Sequence, residues 1–416
     1  MKKIKKVNAQ TLIVAVDIGK TKNTGYCRCP DGSDTKVFEF SNNNWGFSTF
    51  WHRISQFKNF HNLEKIVIGF ESTGGYGEPF VHYLMKQKAR LVQVNPMHTK
   101  RLKELQGNSP NKTDMKDPKV IADIIELGHS LSLVIPVGAA AQLRRLTQAR
   151  ERSVIHHITL LNQLHSLIFI IFPELLQVAC DLKSKGIRHL LQSCPTPESI
   201  VECGLDKITM ILKQGSRGQL GRKKAELIYQ VANQSIGIKE GRESILLEID
   251  HILSGIKATE KFIKHLETQM SDYLAKVACS KYILSIKGIG KVIAAGLIGE
   301  VGDFAKFDTC SEILKLAGLD LFEISSGKHK GQRKISKRGR SMMRKLLYFA
   351  AFNVVRKGGA LREHYERYLN RGMAKTKALI AIARKVLRII FALVRNHNVF
   401  IADYVKEQGI ALKAAA

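Results

Sequence analysis

Acidic residues are scarce in this chain: 36 Asp and Glu stand against 66 Lys and Arg, a formal net charge of +30 over 416 residues. That imbalance points to a polyanionic partner, nucleic acid first and an anionic membrane surface second. Long apolar runs are missing too, and none reaches the roughly 18 residues that span a bilayer. The lysine-rich start, Met1-Lys2-Lys3-Ile4-Lys5-Lys6, leads to a short apolar run at 12–16 that closes on Asp17 with no small-residue cleavage site. A secretory signal is therefore not expected, and a cytoplasmic protein is. Cysteines are few and scattered, seven in all. Cys27-x-Cys29 has no second half at zinc-site spacing, so structural zinc is not expected and reduced, mostly buried thiols are. The 44% hydrophobic content is ample for a core, and the length suits two or three domains.

What is present begins with a β-rich apolar run at 11–16 ending in Asp17. A turn signal at Asp31-Gly32 and a strand at 37–40 give a hairpin-rich start. A helix is expected over about 44–56. The segment Lys65-Ile66-Val67-Ile68-Gly69-Phe70-Glu71 reads as a buried strand delivering a carboxylate at its end. Ser72-Thr73-Gly74-Gly75 then turns into a helix at about 79–88, and a short strand follows at 91–95. After a basic segment with Lys100, Arg101 and Lys103 comes Asn111-Lys112-Thr113-Asp114-Met115-Lys116-Asp117-Pro118. Val120, Ile121, Ile124 and Ile125 recur at helical spacing behind it, which puts Asp114 and Asp117 on one helix face. First-turn acids also complement a helix dipole, and Pro118 suits a first turn. In company with strand-end Asp17 and Glu71, however, they complete the layout of a metal-dependent nuclease. Hard divalent cations prefer carboxylate oxygens, and such ions activate an attacking oxygen and stabilise a leaving one.

The pattern turns helical from about 139 to 173, and a helical insert occupies about 184–241 with a basic, turn-rich stretch at 216–224. Ile245, Ile249, Ile252, Ile256, Thr259, Ile263, Leu266 and Met270 follow the 4-3 spacing of a heptad seam. A dimer, or an antiparallel pairing with the 140–170 helix, would satisfy it, and a coiled coil contributing to oligomerisation is the expectation. Lys287-Gly288-Ile289-Gly290-Lys291 is a helix-hairpin-helix-like turn whose backbone N–H groups can approach a phosphate. A basic stretch follows, with Lys328, Lys330, Arg333, Lys334, Lys337, Arg338, Arg340 and Arg344 as candidate nucleic-acid contacts. Just ahead of it, Ser325-Ser326-Gly327 offers a hydroxyl nucleophile. No His–Asp pair adjoins it, so help in losing its proton would come from the remote carboxylates and their metal. The segment 374–395 is expected to be an amphipathic helix.

These residues resemble a known family. Val16-Asp17-Ile18-Gly19-Lys20, Phe70-Glu71-Ser72-Thr73-Gly74-Gly75-Tyr76, Asn95-Pro96 and Lys112-Thr113-Asp114-x-x-Asp117 are similar to the RuvC-like domain of insertion-sequence transposases with a DEDD acidic tetrad. Gly288-Ile289-Gly290, Gly302-Asp303-Phe304-x-x-Phe307, Ala317-Gly318-Leu319, Ser326-Gly327 and Ser336-Lys337-Arg338-Gly339 with Arg344 resemble the partner transposase domain. The resemblance implies an α/β RNase H/RuvC-like domain at 1–135. A helical coiled-coil region with the insert would follow at 136–275, and a mostly α C-terminal serine transposase domain at 276–416. It implies that Asp17, Glu71, Asp114 and Asp117 bind Mg²⁺, with Mn²⁺ as substitute, and that Ser326, or its neighbour Ser325, forms a covalent link to DNA. The implied partners are double-stranded DNA at element ends and target, a structured non-coding bridge RNA as guide, and further copies of the chain in a dimer or tetramer. The implied location is the cytoplasm, at the nucleoid. In such assemblies the serine of one protomer meets the acids of another. Pro118 stands where family members commonly have Ala, and the insert is that of a longer subgroup. Two other readings remain: a RuvC-like junction nuclease that uses water, and a non-catalytic nucleic-acid-binding protein.

Overall fold

The computed structural model describes residues 7–71, 74–107, 117–179, 181–323, 331 and 333–401. The chain opens as a meander, with β1 (Thr11–Asp17) antiparallel to β2 (Lys22–Arg28) and β2 antiparallel to β3 (Phe38–Ser41). Helix α1 (Asn44–Phe60) starts where the Asn43 side chain accepts the Gly46 N–H, a typical N-cap contact. It leads to β4 (Lys65–Glu71), which lies parallel to β1. After α2 (Glu78–Lys86), β5 (Arg90–Val94) joins parallel to β4. Helices α3 (Pro96–Gly107) and α4 (Asp117–Glu126) precede the short β6 (Leu131–Ser132), antiparallel to β5. The sheet order is β3-β2-β1-β4-β5-β6.

The central strands are buried on both faces, which explains their unbroken apolar runs. On one face Leu12, Val14, Val16, Ile68 and Phe70 pack with Phe50 and Ile54 of α1 and Phe80 and Leu84 of α2. On the other, Ile13, Ala15, Val67 and Val92 pack with Val120, Ile121, Ile124 and Ile125 of α4. The expected strands and helices of this region are present. One element was not expected: α3 occupies what reads in sequence as a basic segment. Its start is marked by Asn95, whose Oδ1 accepts the Met97 N–H at 2.9 Å, followed by Pro96, a residue suited to a first helical position. Asp114 lies outside the described residues, as do Ser325, Ser326, Lys328 and Lys330.

The middle of the chain is helical: α5 (Gly138–Ile171), α6 (Pro173–Ala179), α7 (Lys185–Ser193), α8 (Pro197–Cys203), α9 (Leu205–Ser216), α10 (Arg222–Asn233), α11 (Arg242–Ala275), α12 (Ser280–Leu284) and α13 (Lys291–Val301). Helices α5 and α11 run antiparallel. Arg150 Nε meets Glu267 Oε1 at 2.7 Å, His157 meets Glu260 at 3.3 Å, and Leu160 lies over Gly255. The heptad seam is taken up by this pairing within one chain, with Ile249, Ile252, Ile256, Leu266 and Met270 buried. Its periodicity therefore places no demand on a second copy. By length and composition α5 could cross a membrane, but Leu160, Leu161, Leu164, Ile168 and Ile171 are buried in the helical core shared with α6 to α11.

The last part comprises α14 (Cys310–Ala317), a two-stranded antiparallel ribbon of β7 (Leu321–Phe322) and β8 (Lys334–Ile335), α15 (Ser341–Val354), α16 (Arg362–Asn370) and α17 (Lys375–Asn396). The expected amphipathic helix is α17, whose Leu379, Ile382, Val386 and Ile390 are buried. Described residues within 7–136, 301–351 and 364–396 form one compact unit, and those within 137–300, 352–363 and 397–401 form another. Cys27, Cys29 and Cys194 are buried free thiols. Burial pushes the Cys27 thiol up to about 12, which leaves it inert at neutral pH.

Candidate active site

Asp17 and Glu71 each follow the last paired residues of two adjacent parallel strands, Val16 and Phe70. Strand neighbours lie about 4.8 Å apart, and side chains alternate between faces. Val16 and Phe70 belong to the core under α1 and α2. Asp17 and Glu71 therefore project from the opposite face, that of Ala15 and Val67, on which α4 packs.

Two contacts hold α4 there. Gly69 leaves a notch, for a Cβ at this position would sit 2.3 Å from Ile125 Cδ1 and 2.9 Å from Val92 Cγ2. Arg28 on β2 reaches Asp123 Oδ1 at 2.5 Å and Glu126 Oε2 at 3.0 Å. With α4 so seated, Asp117 lies at its start, on the same side of the sheet as the two strand-end acids.

Helix α3 lines the same group of acids. The Thr99 hydroxyl, in a residue only 2% exposed, contacts Glu71 Oε1. One turn later, Lys103 Nζ stands 2.5 Å from Asp117 Oδ1. Residues four apart share a helix face, so one side of α3 serves two of the four acids. Sequence reasoning noted Lys103 only as part of a basic segment and did not single out Thr99. The signal was the Asn95-Pro96 helix start, which sets the phase of both residues.

The loops beyond the strand ends are tied by two asparagines that sequence reasoning did not single out. Fully buried Asn23 accepts the Gly19 N–H at 3.1 Å. Its amide donates to Asn42 Oδ1 at 3.3 Å, and Asn42 donates to the carbonyls of Gly19 at 3.0 Å and Tyr76 at 3.1 Å. The turn after Asp17 is thereby linked to the segment after Glu71.

The basic residues fall in two places. Lys287, Gly288, Gly290 and Lys291 are exposed on the turn between α12 and α13, where Gly288 has φ +105°. A Cβ on Gly288 would stand 3.2 Å from the Asn353 backbone, whereas one on Gly290 would meet nothing within 4 Å, so it is the backbone at Gly290 that suits a close phosphate approach. The other described ones lie on or beside the ribbon, in the unit that holds the acids. Arg333, Lys334, Lys337 and Arg338 are exposed, while Arg340 and Arg344 are half-buried. Arg333 Nε donates to Glu323 Oε2 at 2.8 Å, and Arg340 Nη2 donates to the Val134 carbonyl at 2.6 Å. Arg344 Nη1 donates to the carbonyls of Ala317 at 3.0 Å and Gly339 at 3.1 Å. That guanidinium closes a clasp in which the Arg340 N–H meets Leu316 O and the Lys337 N–H meets Gly318 O. A Cβ on Gly339 would stand 2.5 Å from Leu316 O, so the two backbone segments can approach only with glycine there. Burial, and then the charge of Arg338, hold His98 on α3 below its ordinary imidazole value; the clasp therefore stands within electrostatic reach of the helix that serves the acids.

Comparison with known proteins adds an independent line. A DEDD transposase profile of the IS110 type matches residues 14–173, and the profile "Transposase IS116/IS110/IS902 family" matches residues 280–366. The chain is a transposase of the IS110/IS116 family. Among its relatives, the "Insertion element IS110 uncharacterized 43.6 kDa protein" of Streptomyces coelicolor is 21% identical over 92% of this chain and 94% of that protein. The "Insertion element IS116 uncharacterized 44.8 kDa protein" of Streptomyces clavuligerus is 24% identical over 70% of this chain and 72% of that one. The "Mini-circle putative transposase for IS117" of Streptomyces coelicolor is 24% identical over 68% and 70%.

The transposase matches cover the elements described above. The DEDD profile runs through β1, β4 and α4, and the second profile spans the α12–α13 turn, the ribbon and the clasp. A DEDD transposase domain implies dependence on a divalent metal. The donors here fit a hard cation, being carboxylate oxygens from strand ends and a helix start. Among the described residues no three His, Cys, Asp or Glu side chains converge closely enough to hold an ion, and Asp114 lies outside those residues.

Proposed function

We propose that this transposase cuts and rejoins DNA strands at a site where Asp17, Glu71, Asp114 and Asp117 hold Mg²⁺, or Mn²⁺ in its place. The observation that carries this reading is the shared direction of Asp17 and Glu71, on neighbouring strand ends facing the start of α4, within the stretch matched by the DEDD profile. The sheet order, an antiparallel meander followed by parallel β4 and β5, supports an RNase H/RuvC-like assignment for residues 1–135. Residues 136–275 would then be a helical region with its insert, and 276–416 the serine transposase domain, although 301–351 and 364–396 pack with the first segment.

In this mechanism Ser326 Oγ attacks the scissile phosphorus and displaces one sugar oxygen. The serine loses its proton, the departing sugar oxygen gains one, and the strand end stays joined to the protein as a phosphoserine ester. A second sugar hydroxyl reverses the exchange and releases the serine, so the phosphodiester count is conserved. A bound divalent ion would supply charge neutralisation at the phosphate. The acids hold that charge in place, Thr99 orients Glu71, and the clasp fixes the two ends of the ribbon on which the Ser326 segment is inserted. Lys287, Gly288, Gly290 and Lys291, with Lys328, Lys330, Arg333, Lys334, Lys337, Arg338 and Arg340, would contact backbone phosphates. Arg344 would keep the clasp closed.

A structured bridge RNA would guide target choice, and a dimer or tetramer would bring one protomer's serine to another's acids. The high positive charge supports the binding of two nucleic acids. The test is a denaturing gel after reaction with labelled element-end DNA, Mg²⁺ and the non-coding RNA. A protein–DNA adduct in wild type that disappears in Ser326→Ala supports the serine route. Unchanged cleavage in Ser326→Ala would instead assign the reaction to water, as in a junction nuclease.

A further inference from the structure

Two aromatic rings stand in water beside the strand-end acids. Tyr76, five residues after Glu71, is 54% exposed, and Trp45, the second residue of α1, is 73% exposed. The packing of α1 on α2 is made without them, by Phe47 and Phe50, whose rings each lie 5.1 Å from that of Phe80. Neither exposed ring is spent on the core.

The backbones that carry the rings are nevertheless held together. Asn42 donates from its side chain to the carbonyls of Gly19 at 3.0 Å, Lys20 at 3.3 Å and Tyr76 at 3.1 Å. Its main-chain N–H donates to Thr21 O at 2.8 Å. Trp45 follows three residues later. Asn43 caps the helix through the Gly46 N–H at 2.9 Å, and a Cβ on Gly46 would stand 2.1 Å from Ser41 O. The chain is therefore fixed on both sides of Trp45 while its ring stands in solvent. Ahead of Tyr76, a Cβ on Gly74 or Gly75 would meet nothing within 4 Å, which leaves room for a strand to come close. Lys20, three residues after Asp17, is exposed on the same tied loops. The carboxylate of Glu39 is met by Lys22 at 2.9 Å.

An exposed aromatic face gives an unpaired base a stacking partner whatever its sequence, and a cation beside it meets the backbone phosphate. A base inside a duplex hides its faces in the stack, so such a platform selects a strand that has opened. We infer that Trp45 and Tyr76 stack on unpaired bases of a DNA strand beside the scissile phosphate, with Lys20 on a backbone phosphate of the same strand. The platform holds the opened strand in place for cutting and adds no sequence preference of its own. The inference rests on the proposed reading in one respect, that Asp17 and Glu71 mark where the strand is cut; holding the strand does not require them.

The experiment uses the full chain in EDTA, with a labelled single-stranded DNA of mixed sequence, its duplex, and single-stranded RNA of the same sequence. Anisotropy gives the affinities. Trp45→Ala and Tyr76→Ala should each bind single-stranded DNA about tenfold more weakly, with duplex affinity within about twofold of wild type. Trp45→Phe and Tyr76→Phe keep a ring and should stay within about threefold. Lys20→Gln should make the log–log salt slope for single-stranded DNA shallower by about 0.7. Loss on single-stranded DNA, with or without loss on RNA, supports the platform. No loss, equal loss on duplex and single strand, or loss confined to RNA overturns it, and an unchanged slope in Lys20→Gln overturns the phosphate contact.

Tryptophan emission reports the stacking itself, since the chain has two tryptophans, Trp45 and Trp51. Single-stranded DNA should quench wild-type emission, and Trp45→Phe, still binding, should lose most of that quenching. Absence of quenching at saturation, or the same quenching in Trp45→Phe, overturns the inference even where an alanine variant melts lower than wild type. With no divalent ion present, Glu71→Gln should bind the single strand as wild type does. Failure of the acids in a cleavage test would leave this result standing, and failure of the platform would leave the acids untouched.

Discussion

The Lys103 ammonium lies 2.5 Å from Oδ1 of Asp117, one helical turn after the Thr99 hydroxyl that contacts Glu71. A positive charge belonging to the protein thus sits on a carboxylate assigned here to a metal. It neutralises Asp117 in the metal-free chain and competes with a cation for it. Lys103→Met should bind Mn²⁺ about threefold to tenfold more tightly, since a nearby like charge is removed. In EDTA the same variant should melt at a lower temperature than wild type. Calorimetric titration and a thermal scan check both; weaker metal binding in Lys103→Met would make the lysine an aid to the ion and not its rival.

Thr99 orients without supplying a charge. The Thr99 hydroxyl has one proton, and both Glu71 Oε1 and the Pro96 carbonyl, 2.8 Å away, lie within its reach. Thr99→Val keeps the shape and removes the hydroxyl. Loss of such an outer contact typically weakens a metal about tenfold or more, whereas Thr99→Ser should stay near wild type. Mn²⁺ titration followed by electron paramagnetic resonance reads this directly.

Gly69 sets the seating of α4. Gly69→Ala puts a methyl into Ile125 Cδ1 and Val92 Cγ2, and overpacking of this kind costs about 1–3 kcal/mol. Ile125→Val in the same chain removes the obstructing methyl and should recover most of the loss. Denaturant unfolding of the two single variants and the double variant tests it; a purely additive result would mean that the notch does not seat the helix.

The helical unit contains a partly buried pair whose effect depends on pH. Arg188, 7% exposed, donates from Nη2 to Glu260 Oε1 at 2.6 Å, and His157 lies 3.3 Å from the same oxygen. Burial pushes the Glu260 carboxyl up, but the hydrogen bond and charge of Arg188 outweigh it, leaving the carboxyl below its ordinary 4.5. A depressed carboxyl stabilises the fold above its unfolded value and loses that contribution as pH falls through the folded value. Arg188→Met should therefore cost about 1–3 kcal/mol at neutral pH. The gap to wild type should narrow below pH 4.5, as urea titrations across pH would show.

Much of the sheet was legible because its signals are local. The run closing on Asp17 and the strand ending in Glu71 are apolar on both faces, and the structure keeps both. Helix α3 was not legible from periodicity, since Pro96–Gly107 is mostly polar; only its Asn-Pro start announced it. The heptad seam was read correctly as a seam, but spacing cannot say which helix fills it, and α5 does so within the chain. Arg344 shows the same limit: a basic residue in a basic stretch reads as a phosphate contact, yet its guanidinium is committed to two carbonyls of the clasp. The pairings Thr99 with Glu71 and Lys103 with Asp117 join residues 28 and 14 positions apart, which no local pattern encodes.

Cleavage of element-end duplex in the presence of Mg²⁺ and the non-coding RNA, compared between wild type and Glu71→Gln, tests the strand-end acids most directly. With duplex binding and melting temperature unchanged, Glu71→Gln should lose about a thousandfold or more of the cleavage rate. Cleavage within a few-fold of wild type in that intact variant would contradict the assignment of the acids as the reacting centre.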